Sequence, residues 1–96
     1  MPHYISLVKW TDQGIRNVKE SPKRADMVSH MAEKLGGKMQ LFYTMGDYDI
    51  VALTEAPNDE TAMQLLLQIG TIGSVRTTTM KAWTPAEATK IIAKLQ

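Results

Sequence analysis

Apolar residues follow a strand-like pattern along four stretches of the chain, by alternation with polar residues, a continuous apolar run or many β-branched residues, and they recur at helical spacing between these stretches. The first alternating stretch is His3 to Trp10, in which Ile5 and Leu7 share one face. A period of two predicts a β-strand, because successive side chains of a strand point to opposite faces. Three further strands are predicted at Met39 to Met45, Tyr48 to Glu55 and Val75 to Trp83.

Two helical segments are predicted between the first and second strands. Thr11 can cap a short segment in which Ile15 and Val18 point inward. The pair Ser21-Pro22 predicts an N-cap and first position of a longer helix, which the pair Gly36-Gly37 ends. The apolar positions of that helix are Met27, Val28, Met31, Ala32 and Leu35.

Two more helices are predicted in the second half of the chain. Asn58 is the expected cap of the first, and Gly70 is its expected end. The run Thr84-Pro85-Ala86-Glu87 fits a capping box with proline at the first helical position. The apolar positions of these two helices are Ala62, Leu65, Leu66, Ile69, Ala88, Ile91, Ile92 and Leu95.

The resulting order, β-α-β-β-α-β with a terminal helix, predicts an α+β ferredoxin-like fold with a four-stranded antiparallel sheet and helices on one face. We expect residues 1–96 to form a single domain. The open face should carry Tyr4, Val8 and Trp10, or their opposite-parity partners on neighbouring strands. The continuous apolar run Ile50 to Leu53 predicts a third strand that is covered on both faces. An open sheet face with exposed apolar side chains predicts a partner, either in a homodimer or in a higher homo-oligomer.

Composition narrows the classes of partner and location. With 11 basic and 10 acidic residues the formal charge is +1, which is too small a surplus to favour nucleic-acid binding. Cysteine is absent, so disulfides and thiolate chemistry are excluded. No apolar run approaches the roughly 20 residues that span a bilayer, and the first residues do not resemble a signal peptide. We therefore expect a cytoplasmic protein without a membrane partner.

The turn before the third strand holds the first candidate for chemistry. Asp49 follows Tyr48 and enters a very apolar strand, where a carboxylate is costly unless it is paired, hydrogen-bonded or protonated. One interpretation is a general base or ligand anchor with a raised pKa. The other is structural: Asp49 caps the hairpin or pairs with Arg76 across a dimer.

The remaining candidates are a histidine and the start of the fourth strand. His3 could act as a general base if its strand end opens into a cavity. Arg76 could hold a carboxylate ligand bidentately, or pair with Asp49, Glu55 or a neighbouring subunit. The two histidines have no ligand spacing with acidic residues, so we expect neither a metal nor a cofactor. The predicted ligand-binding residues are Tyr4, Trp10, Tyr48, Asp49, Arg76 and Thr77.

Several of these stretches together resemble the GYD domain family. They are Gly46-Asp47-Tyr48-Asp49, Glu55-Ala56-Pro57, Asp59, Gly73-Ser74-Val75-Arg76-Thr77-Thr78-Thr79, Tyr4, Lys9-Trp10-Thr11-Asp12-Gln13-Gly14 and Ser21-Pro22-Lys23-Arg24. The resemblance implies a ferredoxin-like domain that pairs into a dimeric α/β barrel, and it implies no activity. The central stretch also looks like the effector-binding domain of Lrp/AsnC regulators, in which the hairpin region lies at subunit contacts where small effectors bind. This chain lacks the helix-turn-helix of those regulators.

The leading functional prediction is a homo-oligomeric small-molecule-binding or structural domain. Its ligand would lie between the open sheet face and the hairpin from Gly46 to Asp49. The alternative is a cofactor-independent enzyme, monooxygenase-like or isomerase-like, that uses Asp49 or His3 as general base; this rests on analogy with other dimeric α/β barrels. A third possibility is an accessory subunit of a larger enzyme.

Overall fold

A computed structural model describes all residues from 1 to 96. The chain forms four strands, four α-helices and one 3₁₀ turn in the predicted order. These elements are β1 (His3–Trp10), α1 (Asp12–Arg16), the 3₁₀ turn (Val18–Glu20), α2 (Ser21–Lys34), β2 (Lys38–Tyr43), β3 (Ile50–Glu55), α3 (Asp59–Ile72), β4 (Val75–Ala82) and α4 (Pro85–Ile92). No helix is both long and apolar enough to cross a membrane.

The strands form one antiparallel sheet in the order β2-β3-β1-β4. The central pair, β3 and β1, is therefore not consecutive in the sequence, as a split βαβ arrangement requires. Tyr4 of β1 lies opposite Thr54 of β3 and Lys81 of β4, which sets the register at one end of the sheet. The predicted α+β ferredoxin-like fold with a four-stranded antiparallel sheet is confirmed.

The two faces of the sheet carry different side chains of β1, one set buried under the helices and the other on the open face. Tyr4, Ser6 and Val8 are buried beneath the helices, whereas Ile5 and Leu7 between them point to the open face. Of the two alternatives predicted for the open face, the set Tyr4, Val8 and Trp10 is therefore wrong, and the opposite-parity set is correct. This amphipathic side of β1 can be buried because its polar groups are paired: the Ser6 hydroxyl lies 2.8 Å from that of Thr79.

The open face retains exposed apolar side chains from three strands. Phe42, Leu53 and Met80 are 47%, 42% and 45% exposed. Within one chain β3 is thus covered on one face only, since Ile50, Ala52 and Thr54 are buried and Leu53 is not. The prediction that both faces of this strand are covered is not met by the single chain.

The first crossover begins at the predicted cap but buries a different residue. The Thr11 side chain accepts a hydrogen bond from the Gly14 N–H at 3.1 Å, which confirms the cap. Ile15 and Val18 are exposed, and Gly14 is the buried position of α1. A Cβ atom at Gly14 would lie 1.9 Å from the carbonyl oxygen of Ser74, so only glycine lets the two backbones approach this closely.

Two helix ends also differ from prediction. Ser21 is itself helical, and its hydroxyl lies 2.9 Å from that of Tyr43 and caps nothing. In α3, Asn58 caps the start as predicted, but the helix continues past Gly70 to Ile72. It ends at Gly73, whose φ of 84° is the left-handed conformation that glycine favours.

The last helix extends from the body of the chain. Both halves of the predicted capping box form, with Thr84 N–H donating to Glu87 at 2.8 Å and Glu87 N–H donating to Thr84 at 3.2 Å. None of the eight residues of α4 is buried. Ile91, Ile92 and Leu95, three of the apolar positions in the sequence pattern, are exposed in the single chain.

Candidate functional site

The hairpin between β2 and β3 uses Asp49 as a structural acceptor. Its carboxylate accepts a hydrogen bond of 2.9 Å from the backbone N–H of Trp10. Its own N–H donates to the carbonyl of Val8 at 2.8 Å, and its carbonyl accepts from the N–H of Thr44 at 2.9 Å. Gly46 turns the chain with a φ of 106°. These contacts favour the interpretation of Asp49 as a residue that fixes the hairpin to the end of β1.

Tyr48 lies within this hairpin and Arg76 on β4, and neither side chain forms a hydrogen bond or an ion pair with the Asp49 carboxylate. The ammonium group of Lys9 stands 5.2 Å from the centre of the Tyr48 ring, a cation–π contact. Arg76 is directly opposite Lys9 in the sheet and forms no ion pair within the chain. The expected pair between Arg76 and Asp49 or Glu55 is therefore absent from the single chain.

Tyr4 belongs to a polar cluster at the other end of the sheet. Its hydroxyl donates to the carboxylate of Asp59 at the start of α3, and the Lys81 ammonium lies 3.0 Å from the same carboxylate. Burial, followed by the hydrogen bond to Asp59, raises the pKa of Tyr4 to about 12. The bond from Tyr4, and then the one from Lys81, lowers the pKa of Asp59. A protonated tyrosine and an ionised aspartate suit a structural link between β1 and α3.

Sequence reasoning missed this cluster for a topological reason. Tyr4, Asp59 and Lys81 lie on three elements, and only the pairing register of β1 with β4 brings Lys81 opposite Tyr4. The available signal was the acidic first turn of α3, which indicates a favoured site for negative charge but not its partner.

His3 lies in a groove on the open face, between two carboxylates. Its Nε2 atom is 3.6 Å from Glu55 and its Nδ1 atom is 3.7 Å from Glu87, distances that allow electrostatic attraction but exceed a hydrogen bond. The groove is also lined by Ile5, Gln40, Leu53 and Trp83. The strand end of His3 therefore opens to a concave surface, as a general base at this position requires.

A separate cavity lies under the helices. Trp10 and Thr77, two of the predicted ligand-binding residues, line it, whereas Asp49, Tyr48 and Arg76 do not. Tyr4 also borders the open-face groove, although its side chain is buried on the helix side of the sheet. The six predicted residues are thus distributed over the two concave surfaces, the hairpin and, for Arg76, the start of β4. No group of three or more histidine, aspartate or glutamate side chains could hold a metal ion together.

Comparison with known sequences and structures places the chain in a family. A sequence model of the GYD domain matches residues 4–92. A protein of Thermus thermophilus, named glutamine synthetase and cystathionine beta-lyase binding protein, is 32% identical over 98 residues, which covers 100% of both chains.

Solved structures show the same fold at lower identity. The crystal structure of TTHA0845 from Thermus thermophilus has a TM-score of 0.58 and 21% identity, covering 88% of this chain and 95% of that one. The protein At3g17210 from Arabidopsis thaliana has a TM-score of 0.56 and 10% identity, with the same coverages. At these identities the two structures share a fold with this chain and carry no argument about activity.

Proposed function

The chain belongs to the GYD domain family, and from that premise we propose that it is a homo-oligomeric binding protein that attaches to other proteins. The relative from Thermus thermophilus, which this chain matches over its full length, carries a name that describes binding to two enzymes, glutamine synthetase and cystathionine beta-lyase. We propose a partner of the same kind, a metabolic enzyme, for this chain. Binding to itself and to another protein requires apolar surfaces that a single chain leaves uncovered. The exposed apolar side chains of this chain support the proposal.

Apolar side chains on the open sheet face carry the proposal. Phe42, Leu53 and Met80 are each exposed by two-fifths or more of their surface, and Ile5 and Leu7 are only partly buried among them. A contiguous apolar surface of this kind is typical of an interface. The core of the single chain is small in comparison, with nine buried apolar residues and no large side chain that is completely buried. A 96-residue chain gains stability when a partner covers such a face.

A second copy of the chain is the proposed occupant of the open face. Two of the uncovered apolar surfaces would be covered together by a second copy: the sheet face and the side of α4 that presents Ile91 and Ile92. Trp83 lines the open-face groove and lies just before α4, so the two surfaces adjoin. In a twofold dimer each copy presents both surfaces to the other, and a single contact buries all of them.

The outer side of α3 is the proposed contact for the enzyme partner. Met63 and Leu67 are 59% and 63% exposed and lie four positions apart, so they are neighbours on the helix surface. They point away from Ala62, Leu65 and Ile69, which are buried against the sheet. A dimer formed through the open face leaves this pair accessible, because α3 packs on the opposite face.

Binding to purified enzymes tests the proposal. We expect saturable binding of the chain to glutamine synthetase or cystathionine beta-lyase of its source organism, measured by biolayer interferometry. Leu67→Lys should weaken binding at least tenfold, since it places a charge in the apolar contact. His30→Lys adds the same charge at an exposed position of α2, outside this contact, and should bind like the wild type. Failure of both enzymes to bind, or equal binding by the two variants, would overturn the proposal.

A cofactor-independent enzyme with His3 as general base is the second candidate. It is supported by the position of His3 in the open-face groove, where Glu55 and Glu87 flank the ring. A thermal-shift screen of small metabolites on the wild type and on His3→Gln distinguishes the two functions. Stabilisation by a metabolite that is lost in His3→Gln favours a ligand or substrate in the groove; a screen without such a hit leaves protein binding as the function. A ligand beside Asp49 remains a prediction from the sequence.

A further inference from the structure

Two cations lie side by side at one end of the open sheet face. Lys9 follows Ile5 and Leu7 on the open side of β1, because side chains alternate along a strand. Arg76 of β4 lies directly opposite Lys9, and both residues are exposed. Like charges in directly opposed positions destabilise a sheet. We call this pair, Lys9 and Arg76, the cationic end of the open face.

The cationic end has no anionic partner within the chain. No carboxylate oxygen lies within 4.0 Å of a side-chain nitrogen of Lys9 or Arg76. Asp49 of the adjoining hairpin directs its carboxylate to the backbone N–H of Trp10. The Lys9 ammonium contacts the ring of Tyr48 instead. An anion from outside the chain can therefore relieve the repulsion between the two cations.

The other end of the open face carries carboxylates beside the groove. Glu55 and Glu87 flank His3 there, and His3 lies six residues from Lys9, roughly 20 Å along β1. The positive charges at this end are Lys38, 3.5 Å from Glu55, and the amino terminus near Glu87.

This groove end can accept further cations. The contacts of Glu55 with Lys38 and His3, 3.5 and 3.6 Å long, exceed ordinary hydrogen-bond lengths and leave its oxygen atoms able to accept shorter bonds. The groove has a volume of about 530 Å³, which gives room for side chains of a partner.

The apolar side chains of the open face lie between the two ends. Ile5 and Leu7 stand midway along β1, with Leu53 and Val51 opposite them in β3. A twofold axis through this apolar middle, directed across the strands, places the cationic end of each copy on the groove end of the other. An axis directed along the strands brings the two cationic ends together, with four cations in one contact. Electrostatic complementarity favours the first arrangement.

We propose that the groove end of the open face receives Lys9 and Arg76 of a second copy, so that opposite ends of the two sheets meet. This inference rests on the homo-oligomer of the proposed function and adds the orientation of its subunits. A guanidinium binds a carboxylate bidentately, which fits Arg76 of the partner subunit to Glu55. Twofold symmetry repeats the contact. The occupant of the groove is then a part of the dimer and not a metabolite.

Charge reversal at the two ends, followed by sedimentation equilibrium, tests this orientation. Arg76→Glu and Glu55→Arg should each raise the Kd of the dimer at least tenfold, because each places like charges in both copies of the contact. An equimolar mixture of the two variants should dimerise like the wild type, since one contact of a mixed dimer pairs the two introduced charges and the other keeps the native pair. Arg16→Glu, at an exposed position of α1, should also dimerise like the wild type.

The possible outcomes separate this inference from the proposed function. A wild-type chain that sediments as a monomer would overturn the dimer and its orientation together. With a dimeric wild type, a tighter dimer in Arg76→Glu would show that the two cationic ends meet. Reversed variants that dimerise like the wild type, or a mixture that dimerises no better than its components, would overturn the orientation and leave the dimer in place. Lys9→Glu is an independent reversal at the cationic end and should behave like Arg76→Glu, alone and in the mixture.

Discussion

The carboxylate of Asp49 accepts a hydrogen bond of 2.9 Å from the backbone N–H of Trp10, the last residue of β1. Asp49 also bonds Val8 through its own N–H. Together these bonds attach the hairpin between β2 and β3 to the central strand beside it. The cost of placing a carboxylate at the start of an apolar strand is thereby offset by a charge-assisted bond.

Substitutions of Asp49 should therefore lower the stability of the chain, and more so when the new side chain cannot accept the hydrogen bond from Trp10. Asp49→Ala should lower the free energy of unfolding by about 1.5–3 kcal/mol, the usual contribution of a hydrogen bond to a charged group. Asp49→Asn should lose less, because its amide oxygen still accepts from Trp10. Urea denaturation measures both values. An Asp49→Ala protein with the same urea midpoint as the wild type would contradict the structural role.

The burial of Tyr4, together with its hydrogen bond to Asp59, predicts a loss of stability at alkaline pH. The pKa of Tyr4 is raised from 10.0 to about 12 in the folded chain, so the unfolded chain releases this proton first. The contribution of protonated Tyr4 to the free energy of unfolding is complete below about pH 10 and is lost as the pH rises towards 12. At 1.36 kcal/mol per pKa unit this contribution amounts to about 2–3 kcal/mol.

Tyr4→Phe is the control for this prediction, because it retains the ring and has no proton to lose. Other groups titrate in both proteins and cancel in the comparison. From pH 10 to 12 the wild type should therefore lose stability relative to Tyr4→Phe in urea titrations. A constant difference between the two proteins over this range would show that Tyr4 is not held in its neutral form.

The capping box of α4 should respond to acid. Hydrogen bonds from the backbone N–H and the side chain of Thr84 lower the pKa of Glu87 below its ordinary 4.5. Its contribution to the helix is thus present above about pH 4.5 and is lost as the pH falls through the lowered pKa. The Cα chemical shifts of residues 86–92 should move towards unfolded values over that range. In Glu87→Gln, whose amide can also complete the capping box, these chemical shifts should stay constant over the same pH range. Chemical shifts that change with pH in the same way in both proteins would refute the role of Glu87.

Alanine substitutions at two glycines, Gly14 and Gly70, should have opposite effects on stability. At Gly14 a Cβ would meet the Ser74 carbonyl oxygen at 1.9 Å, so Gly14→Ala should destabilise the chain by about 1–3 kcal/mol, as overpacking does. At Gly70, inside α3, a Cβ meets nothing within 4 Å, and Gly70→Ala should stabilise by about 0.5–1 kcal/mol. Thermal unfolding measures both, and a neutral Gly14→Ala would contradict the close approach.

Periodicity and capping chemistry predicted the order of elements because they are local properties. The caps at Thr11, Asn58 and Thr84 form as expected, since each depends on residues at most three positions away. The side of β1 that faces the helices could not be obtained in this way. Both sides of the strand are partly apolar, and the decision depends on Thr79 and Asp59, which pair with Ser6 and Tyr4 across the fold.

The candidate sites were less predictable than the order of elements, because their residues come from elements that are distant in the sequence. Trp10 and Thr77 were identified as ligand-binding candidates, but the cavity that they line is also formed by residues of α2, among them Arg24. Arg24 lies in a basic stretch that reads as a solvated helix face from sequence alone. Only the packing of α2 on the sheet buries one of its nitrogen atoms without a partner.

Sedimentation equilibrium of the purified chain at micromolar concentration tests the proposed homo-oligomeric function most directly. We predict a species of twice the 10.7 kDa chain mass, because the open face and α4 are covered by a second copy. Leu53→Asp, which places a charge in the centre of that contact, should shift the chain to the monomer, whereas Leu67→Lys on α3 should remain dimeric. A wild-type chain that sediments as a stable monomer, with Phe42, Leu53 and Met80 left in water, would contradict the account.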